Sequence, residues 1–310
     1  MITCNIAIDL HAAGPKAVLA RHSYIANSWH FAKKITPFIL LLLAIFLCIR
    51  IWRSSLSSHA WLASNFYNSD EGDATILVIT PTHKRPERLA DMTRFSQTLS
   101  HVKNLHWIVV EDSNATAPAV ERILQRSGLP YIYFHATTEP GMPKRGWTHR
   151  NRALQFIREN YSKFPREAVV YFADDDNAYD IRLFDRYIRK VKRIGFWAVG
   201  LSGAALAEAP RVEKKKIVGW NVIFAPSRTF ATDMAGFAIN LKEILRAKNA
   251  SFSLECAKKT PEPCFLNQFG IKKEECEPFG YDDEPKEILV WHVKTRNIGT
   301  RGERHGYVIE

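Results

Sequence analysis

Three consecutive carboxylates, Asp174, Asp175 and Asp176, stand directly behind an apolar run in the stretch YFADDDNAYD. Like charges at that density repel, so something must offset them. Three chemistries fit. The carboxylates can ligate a hard divalent cation, which prefers oxygen donors. They can act as general acid and base. Or they can cap and solvate the turn into a helix, since Asn177 and Asp180 follow. The apolar run before them favours the cation. A divalent metal held by one or two protein carboxylates usually completes its shell with substrate phosphates, so the triplet points to a metal–diphosphate ligand.

The elements that must position this triplet follow from periodicity. Short β-branched runs predict strands at 75–80, 105–110, 131–135 and 168–173, with a strand-like stretch at 197–201. Pro81 ends the first, and Pro86 suits a helix start. Leu89, Met92, Phe95 and Leu99 then recur at helical spacing, and further helices are predicted near 117–126, 148–161 and 181–193. The later chain is less regular, with strands at 216–224, 236–240 and 288–293 and a helix near 242–246. Alternating strands and helices predict an α/β fold: a Rossmann-like, mainly parallel sheet with helices on both faces. Such sheets bind ligands beyond the carboxyl ends of their strands. Three strand ends carry polar groups here: Pro81-Thr82-His83, Glu111-Asp112 and the aspartate triplet. Neither GxGxxG nor GxxxxGK[ST] is present, so the pattern is not that of a dinucleotide fingerprint or a P-loop.

The 310 residues allow a substantial core, and the formal net charge of +11 favours anionic partners. No zinc-finger spacing, RNA-binding signature or basic heptad helix accompanies that charge, so nucleic acid is not expected. Residues 35–52 form the one long apolar run and predict an uncleaved signal anchor, short for a membrane span. Residues 1–34 would then be a cytosolic tail, 53–73 a Ser-rich stem and 74–310 a lumenal catalytic domain. Within that domain, 74–200 reads as the nucleotide-binding half and 201–310 as the acceptor half. Sequons at Asn114 and Asn249 agree with a lumenal domain. Cys256, Cys264 and Cys276 lack zinc spacing and allow one disulfide, with one thiol left over.

The blocks PTHKRPERLADMTRFSQTLSHVKNLHWIVVEDS, RGWTHRNRAL, VVYFADDDNAYD, TDMAGFAIN and VWHVKT resemble the β-1,3-glucuronyltransferases. The likeness runs in order from about residue 74 to 295. It implies a GT-A-type nucleotide-sugar transferase fold and a Golgi type II membrane protein. The implied activity is Mn²⁺-dependent transfer of glucuronic acid from UDP-glucuronic acid to a terminal galactose. By this resemblance Asp176 binds manganese, and Asp175 and Asp174 sit by the ribose and around the metal shell. Asp112 contacts uracil, and Pro81 and His83 belong to a turn under the uracil ring. Here His83 replaces the family's aromatic residue. Arg150 would contact uracil or phosphate and His292 the diphosphate, with Lys294 standing where the family has arginine. Lysine keeps the charge but not the bidentate fork.

On the acceptor side the resemblance maps Glu208, Arg228 and Asp233. The catalytic base is matched by Glu262, between Pro261 and Pro263, although proline is tolerated only in the first helical turn. Read without the resemblance, His292 is a strand histidine, Arg150 a solvated helix charge, and Trp147 and Trp220 are packing residues. The implied mechanism is one inverting displacement, the galactose O3 attacking as a carboxylate takes its proton. The acceptor stays open between the proteoglycan linkage region and N-acetyllactosamine ends, and family members are often homodimers. Two other readings stand beside it: a GT-A transferase using a different UDP-sugar, and a non-catalytic UDP- or glycan-binding relative.

Overall fold

A computed structural model describes residues 73–164 and 167–295, with Ile45 besides. The expected anchor at 35–52 and the stem at 53–73 lie almost wholly outside these residues. Among the described residues no helix is long and apolar enough to cross a membrane.

The first half follows the predicted alternation. It comprises β1 (Thr75–Thr82), α1 (Arg88–Leu99), β2 (Leu105–Asp112), α2 (Pro118–Ser127), β3 (Tyr131–Ala136), α3 (Trp147–Asn160) and β4 (Ala168–Phe172). β1 outlasts its expected end because its pairing with β2 continues through Pro81↔Val110 and Thr82↔Glu111. The chain continues through β5 (Ala178–Tyr179), α4 (Arg182–Arg186), β6 (Ile194–Phe196), β7 (Val199–Gly200), β8 (Ala207–Glu213) and β9 (Lys216–Asn221). It closes with β10 (Phe237–Asn240), α5 (Leu241–Arg246), α6 (Leu254–Lys258), α7 (Pro261–Asn267), β11 (Glu277–Pro278) and β12 (Val290–Trp291).

The main sheet has seven strands in the order β11-β6-β10-β4-β1-β2-β3. Pairing is parallel from β4 through β3 and between β11 and β6, while β10 runs antiparallel to both its neighbours. Alternation puts Ile76, Val78, Leu105, Trp107 and Val109 on one face, packed with Met92, Phe95 and Leu99 of α1 and Val120, Ile123 and Leu124 of α2. α3 packs on β1 and β2 through buried Ala153, Leu154 and Ile157, covering the other face. The fold is therefore mixed α/β. β10 and β11, from the later half of the chain, sit in the same sheet as β1–β4, so the two expected halves share one core.

Several expected elements come out shorter. The helix over 181–193 reduces to α4 and a 3₁₀ turn at Ile188–Lys190. Tyr187 turns inward there to stack on Phe279, and Arg189 donates to the carbonyls of Ala74 and Lys103. Of the strand expected over 197–201 only β7 forms, in a second sheet, because Trp197 leaves the end of β6 and donates its indole N–H to the Ala235 carbonyl at 2.9 Å. This second sheet has five strands in the order β5-β12-β7-β8-β9. Its strands are short or interrupted by charge and by Pro210, which hid β8 from any periodicity.

Candidate active site

The parallel register brings the carboxyl ends of β1, β2 and β4 to one edge. There Glu111, at 2 % exposure, forms a buried ion pair with Arg88 and accepts the Tyr133 hydroxyl at 2.5 Å. That pairing braces the end of β2 and leaves the next residue, Asp112, facing out. Asp112 accepts the Thr138 amide at 3.1 Å and hydroxyl at 2.7 Å. Burial pushes its carboxyl up, but the Thr138 bonds, His149 and Lys144 outweigh it and hold the group below the usual range. Pro81 is half-buried and His83 is exposed just beyond β1.

α3 begins after Gly146, whose φ of 77° is a left-handed conformation that glycine adopts without strain. A Cβ there would lie 2.7 Å from Arg150 Nη1 and 2.9 Å from Pro81, so the glycine also gives those two residues their room. Arg150, 3 % exposed, bonds the Arg145 carbonyl at 2.9 Å and pairs with Asp174. Its Nε is buried without a partner among the described residues.

The three aspartates have separate fates. Asp174 is spoken for by Arg150. Asp175, 5 % exposed, accepts Thr82 Oγ1 at 2.7 Å and both terminal nitrogens of Arg85 at 2.9 and 3.0 Å. Burial raises its pKa, and the Arg85 fork works against that rise. Arg85 also bonds Asp91 at 2.9 Å, and Arg94 donates to the Asp176 carbonyl at 3.1 Å. Among the described residues no other side chain or backbone group hydrogen-bonds the half-buried Asp176 carboxyl. Burial, then its two aspartate neighbours, push it up to about 6. A carboxylate so crowded is one that a cation would stabilise. Among the described residues no three His, Cys, Asp or Glu side chains form a ready-made metal cage. The donor set thus suits a hard divalent ion whose shell a diphosphate completes.

A second wall comes from the later chain. Asp233 caps the 3₁₀ turn Met234–Gly236, accepting the Ala235 amide at 2.9 Å. Its other oxygen lies 2.9 Å from His292 Nδ1 and 3.0 Å from Ser202 Oγ. The Asp233 hydrogen bond raises the His292 pKa, although burial opposes this. Ser202 Oγ is also 3.1 Å from Glu208 Oε2. Glu208 is 3 % exposed, and its Oε1 has no partner among the described residues. A Cβ at Gly203 would fall 2.1 Å from that atom, so glycine leaves the space it occupies. Burial raises the Glu208 pKa against Ser202 and against Arg228 at 3.9 Å. Arg228 is itself held over the Phe224 ring at 5.0 Å. Lys294 is exposed beside this wall.

Glu262 joins the two walls. Pro261 is the first residue of α7, so both flanking prolines fall in the first turn, where no intrahelical N–H is needed. Among the described residues no other residue hydrogen-bonds the Glu262 carboxylate. Burial and the nearby Asp233 push it up to about 7, while Arg228 and Arg150 pull the other way. Its interaction partners therefore belong to both the triplet side and the Asp233 side.

The structure gathers Asp112, Arg150, Asp174, Asp175 and Asp176 on one side and Glu208, Arg228, Asp233, His292 and Glu262 on the other. Asn114, two residues after Asp112, and Asn249 are both exposed. A separate cleft on the β8–β9 hairpin, lined by Arg211, Asn221, Tyr281 and Lys286, contains none of these residues. Sequence reasoning named Thr82 only as part of a polar strand end and missed Arg85, Asp91 and Ser202, which with it hold the site's carboxylates in place. None has a spacing signal; Arg85 merely precedes Pro86. Cys256 and Cys264 form a disulfide, leaving Cys276 as a buried free thiol.

An α/β sheet with carboxylates and cations at its strand ends, faced by a wall of perturbed carboxylates, defines a group-transfer enzyme. The sequence model of glycosyltransferase family 43 matches residues 95–296. Galactosylgalactosylxylosylprotein 3-beta-glucuronosyltransferase sqv-8 of Caenorhabditis elegans is 42% identical over 231 residues, covering 71% of this chain and 64% of that protein. Galactosylgalactosylxylosylprotein 3-beta-glucuronosyltransferase 1 of Homo sapiens is 41% identical over 249 residues (74% and 72%), and human enzyme 2 is 38% identical over 236 (74% and 72%). Among solved structures, S. aureus TarS 1-349 matches with a TM-score of 0.44 at 14% identity, covering 70% of this chain and 60% of that one. That likeness is too loose to carry residues across. The chain belongs to glycosyltransferase family 43.

Proposed function

We propose that the protein transfers glucuronic acid from UDP-glucuronic acid to O3 of a terminal galactose, inverting the anomeric centre, on a GT-A-type fold. The names of the relatives support a galactosyl-galactosyl-xylosyl protein as the acceptor. The observation that carries the reading is Glu262: a carboxyl pushed up to about 7 and set among Arg150, Arg228 and Asp233. A general base works best with a pKa near the operating pH.

Asp176 would hold Mn²⁺, with Asp174, paired to Arg150, and Asp175, paired to Arg85, by the ribose and around the metal shell. When bound, the metal supplies positive charge against the growing charge on the leaving diphosphate. Asp112 and Arg150 bind the uridine and phosphate portion. Asp233 raises the His292 pKa and so favours its protonated form, whose Nε2–H can donate to the diphosphate as charge develops there. Glu208, Arg228 and Asp233 orient the galactose. Its O3 attacks C1 of the glucuronic acid, the C1–O bond to phosphate breaks, and the electron pair leaves with UDP. The O3 proton passes to Glu262. We place the catalytic domain in the Golgi lumen behind the anchor at 35–52; the exposed sequon residues Asn114 and Asn249 support that side.

The test uses full-length protein in detergent with galactose-terminated acceptors, UDP-glucuronic acid or UDP-galactose, and Mn²⁺ or chelator. The expected result is metal-dependent transfer from UDP-glucuronic acid alone. Transfer from the other donor, or UDP binding without any transfer, overturns the proposal.

A further inference from the structure

Glu262 lacks a side-chain partner to aim it, so its position depends on the backbone that carries it. That backbone is short. α7 has seven residues, and two of its first three are prolines without an amide hydrogen. The segment from Ser251 to Gln268 is closed instead by three nested links. The outermost is an amide pair: Ser251 N–H donates to Gln268 Oε1 at 3.0 Å, and Gln268 Nε2 to the Ser251 carbonyl at 2.8 Å. Inside it, Phe252 stacks on Phe265 with centroids 4.3 Å apart. Phe252 is also fastened to α3, its backbone exchanging bonds of 2.8 and 2.9 Å with the Asn151 side chain. Asn151 adjoins Arg150, so the clamp refers this segment to the donor side. Innermost is the Cys256–Cys264 disulfide, with Cα atoms 5.4 Å apart and a sequence separation of 8. Glu262 lies within that innermost loop, two residues before Cys264.

The outer links set where the segment leaves the core, and Gln268 Nε2 also bonds the Cys264 carbonyl at 3.1 Å; the disulfide is the covalent tie between α6 and the turn that bears the carboxylate. We propose that Cys256 and Cys264 are positioning residues for catalysis, their disulfide holding Glu262 against the Arg150, Arg228 and Asp233 side chains. This rests on the proposed role of Glu262 as base. Two-electron reduction by a dithiol, which is itself oxidised to a disulfide, would release the turn while the two outer links keep the fold. Donor binding, built on β1, β2, α3 and β4, would survive.

The experiment compares wild type, Cys256→Ser/Cys264→Ser, Glu262→Gln and the combined variant, as full-length protein. The serine pair is expected to lose about 10- to 100-fold in kcat, the effect of a small misplacement of a reacting group. KM for UDP-glucuronic acid should stay within about twofold, as expected when only a transition-state contact is lost. Amide exchange should rise over 257–263 and not in β1–β4. In the Glu262→Gln background the serine pair should remove nothing further, because both changes act through one group. Unchanged kcat in the serine pair, additive losses, or a KM rise in step with general loosening each overturn the inference. Wild type inactive with UDP-glucuronic acid would instead sink the functional reading and this inference together.

Discussion

Replacing Glu262 with glutamine should stop catalysis and stabilise the protein, with a pH dependence that identifies the cause. The folded carboxyl titrates at about 7 against an ordinary value of 4.5. Below pH 4.5 it is protonated in both states and costs nothing. As pH rises towards 7 the unfolded state ionises first, so the folded state loses stability across that window and recovers none above it. The difference between the two values corresponds to a ceiling of about 3 kcal/mol at about 1.4 kcal/mol per unit. The side chain is only half-buried by exposed surface, although it is deeply enclosed in protein atoms. Water therefore offsets part of the cost, leaving about 1–2 kcal/mol. Glutamine never ionises and escapes it. Urea unfolding at pH 8 should thus show Glu262→Gln more stable by that amount, with the gain vanishing near pH 4.5. Transfer should fall by about 10²- to 10⁴-fold, the usual contribution of a general base, with UDP affinity kept. In wild type, kcat should rise with pH through about 7. A variant that keeps its activity, or one less stable than wild type at pH 8, refutes the assignment.

Other perturbations probe the surrounding groups. Arg85→Ala leaves Asp175, 5 % exposed, with Thr82 alone, an uncompensated buried carboxylate that should cost about 3 kcal/mol in urea unfolding and raise donor KM. Asp233→Asn removes the charge that raises the His292 pKa; the alkaline limb of the kcat profile should shift to lower pH as well as the rate falling. Gly146→Ala meets both a φ of 77° and contacts of 2.7 and 2.9 Å with Arg150 and Pro81. It should destabilise by about 1–3 kcal/mol and weaken UDP binding by calorimetry.

Much of the nucleotide side was legible in the chain. Runs such as TILVIT and LHWIVV are buried on both faces, and such runs read as parallel strands whatever their neighbours. The polar residues behind them had to meet at one edge once those strands paired side by side. The family blocks then pointed to roles for Asp112, Arg150 and the triplet. The second wall was far less legible. Its strands are two to seven residues long, and Ser202, Glu208, Asp233 and His292 are brought together from different ends of the chain. Pro261 and Pro263 cast doubt on a helix that the structure forms by starting it at the first of them. Periodicity reports on burial along a chain, which is local. Whether a carboxyl group is paired, crowded or left waiting for a proton depends on charges many residues away. The chain therefore determined by itself the α/β scaffold and the aspartate cluster at its edge. Only the tertiary structure decided that Asp175 is locked by Arg85, that the Asp176 carboxyl is crowded by its neighbours, and that burial raises the Glu262 carboxyl. Each outcome is a matter of burial and Coulomb energy at a few ångströms.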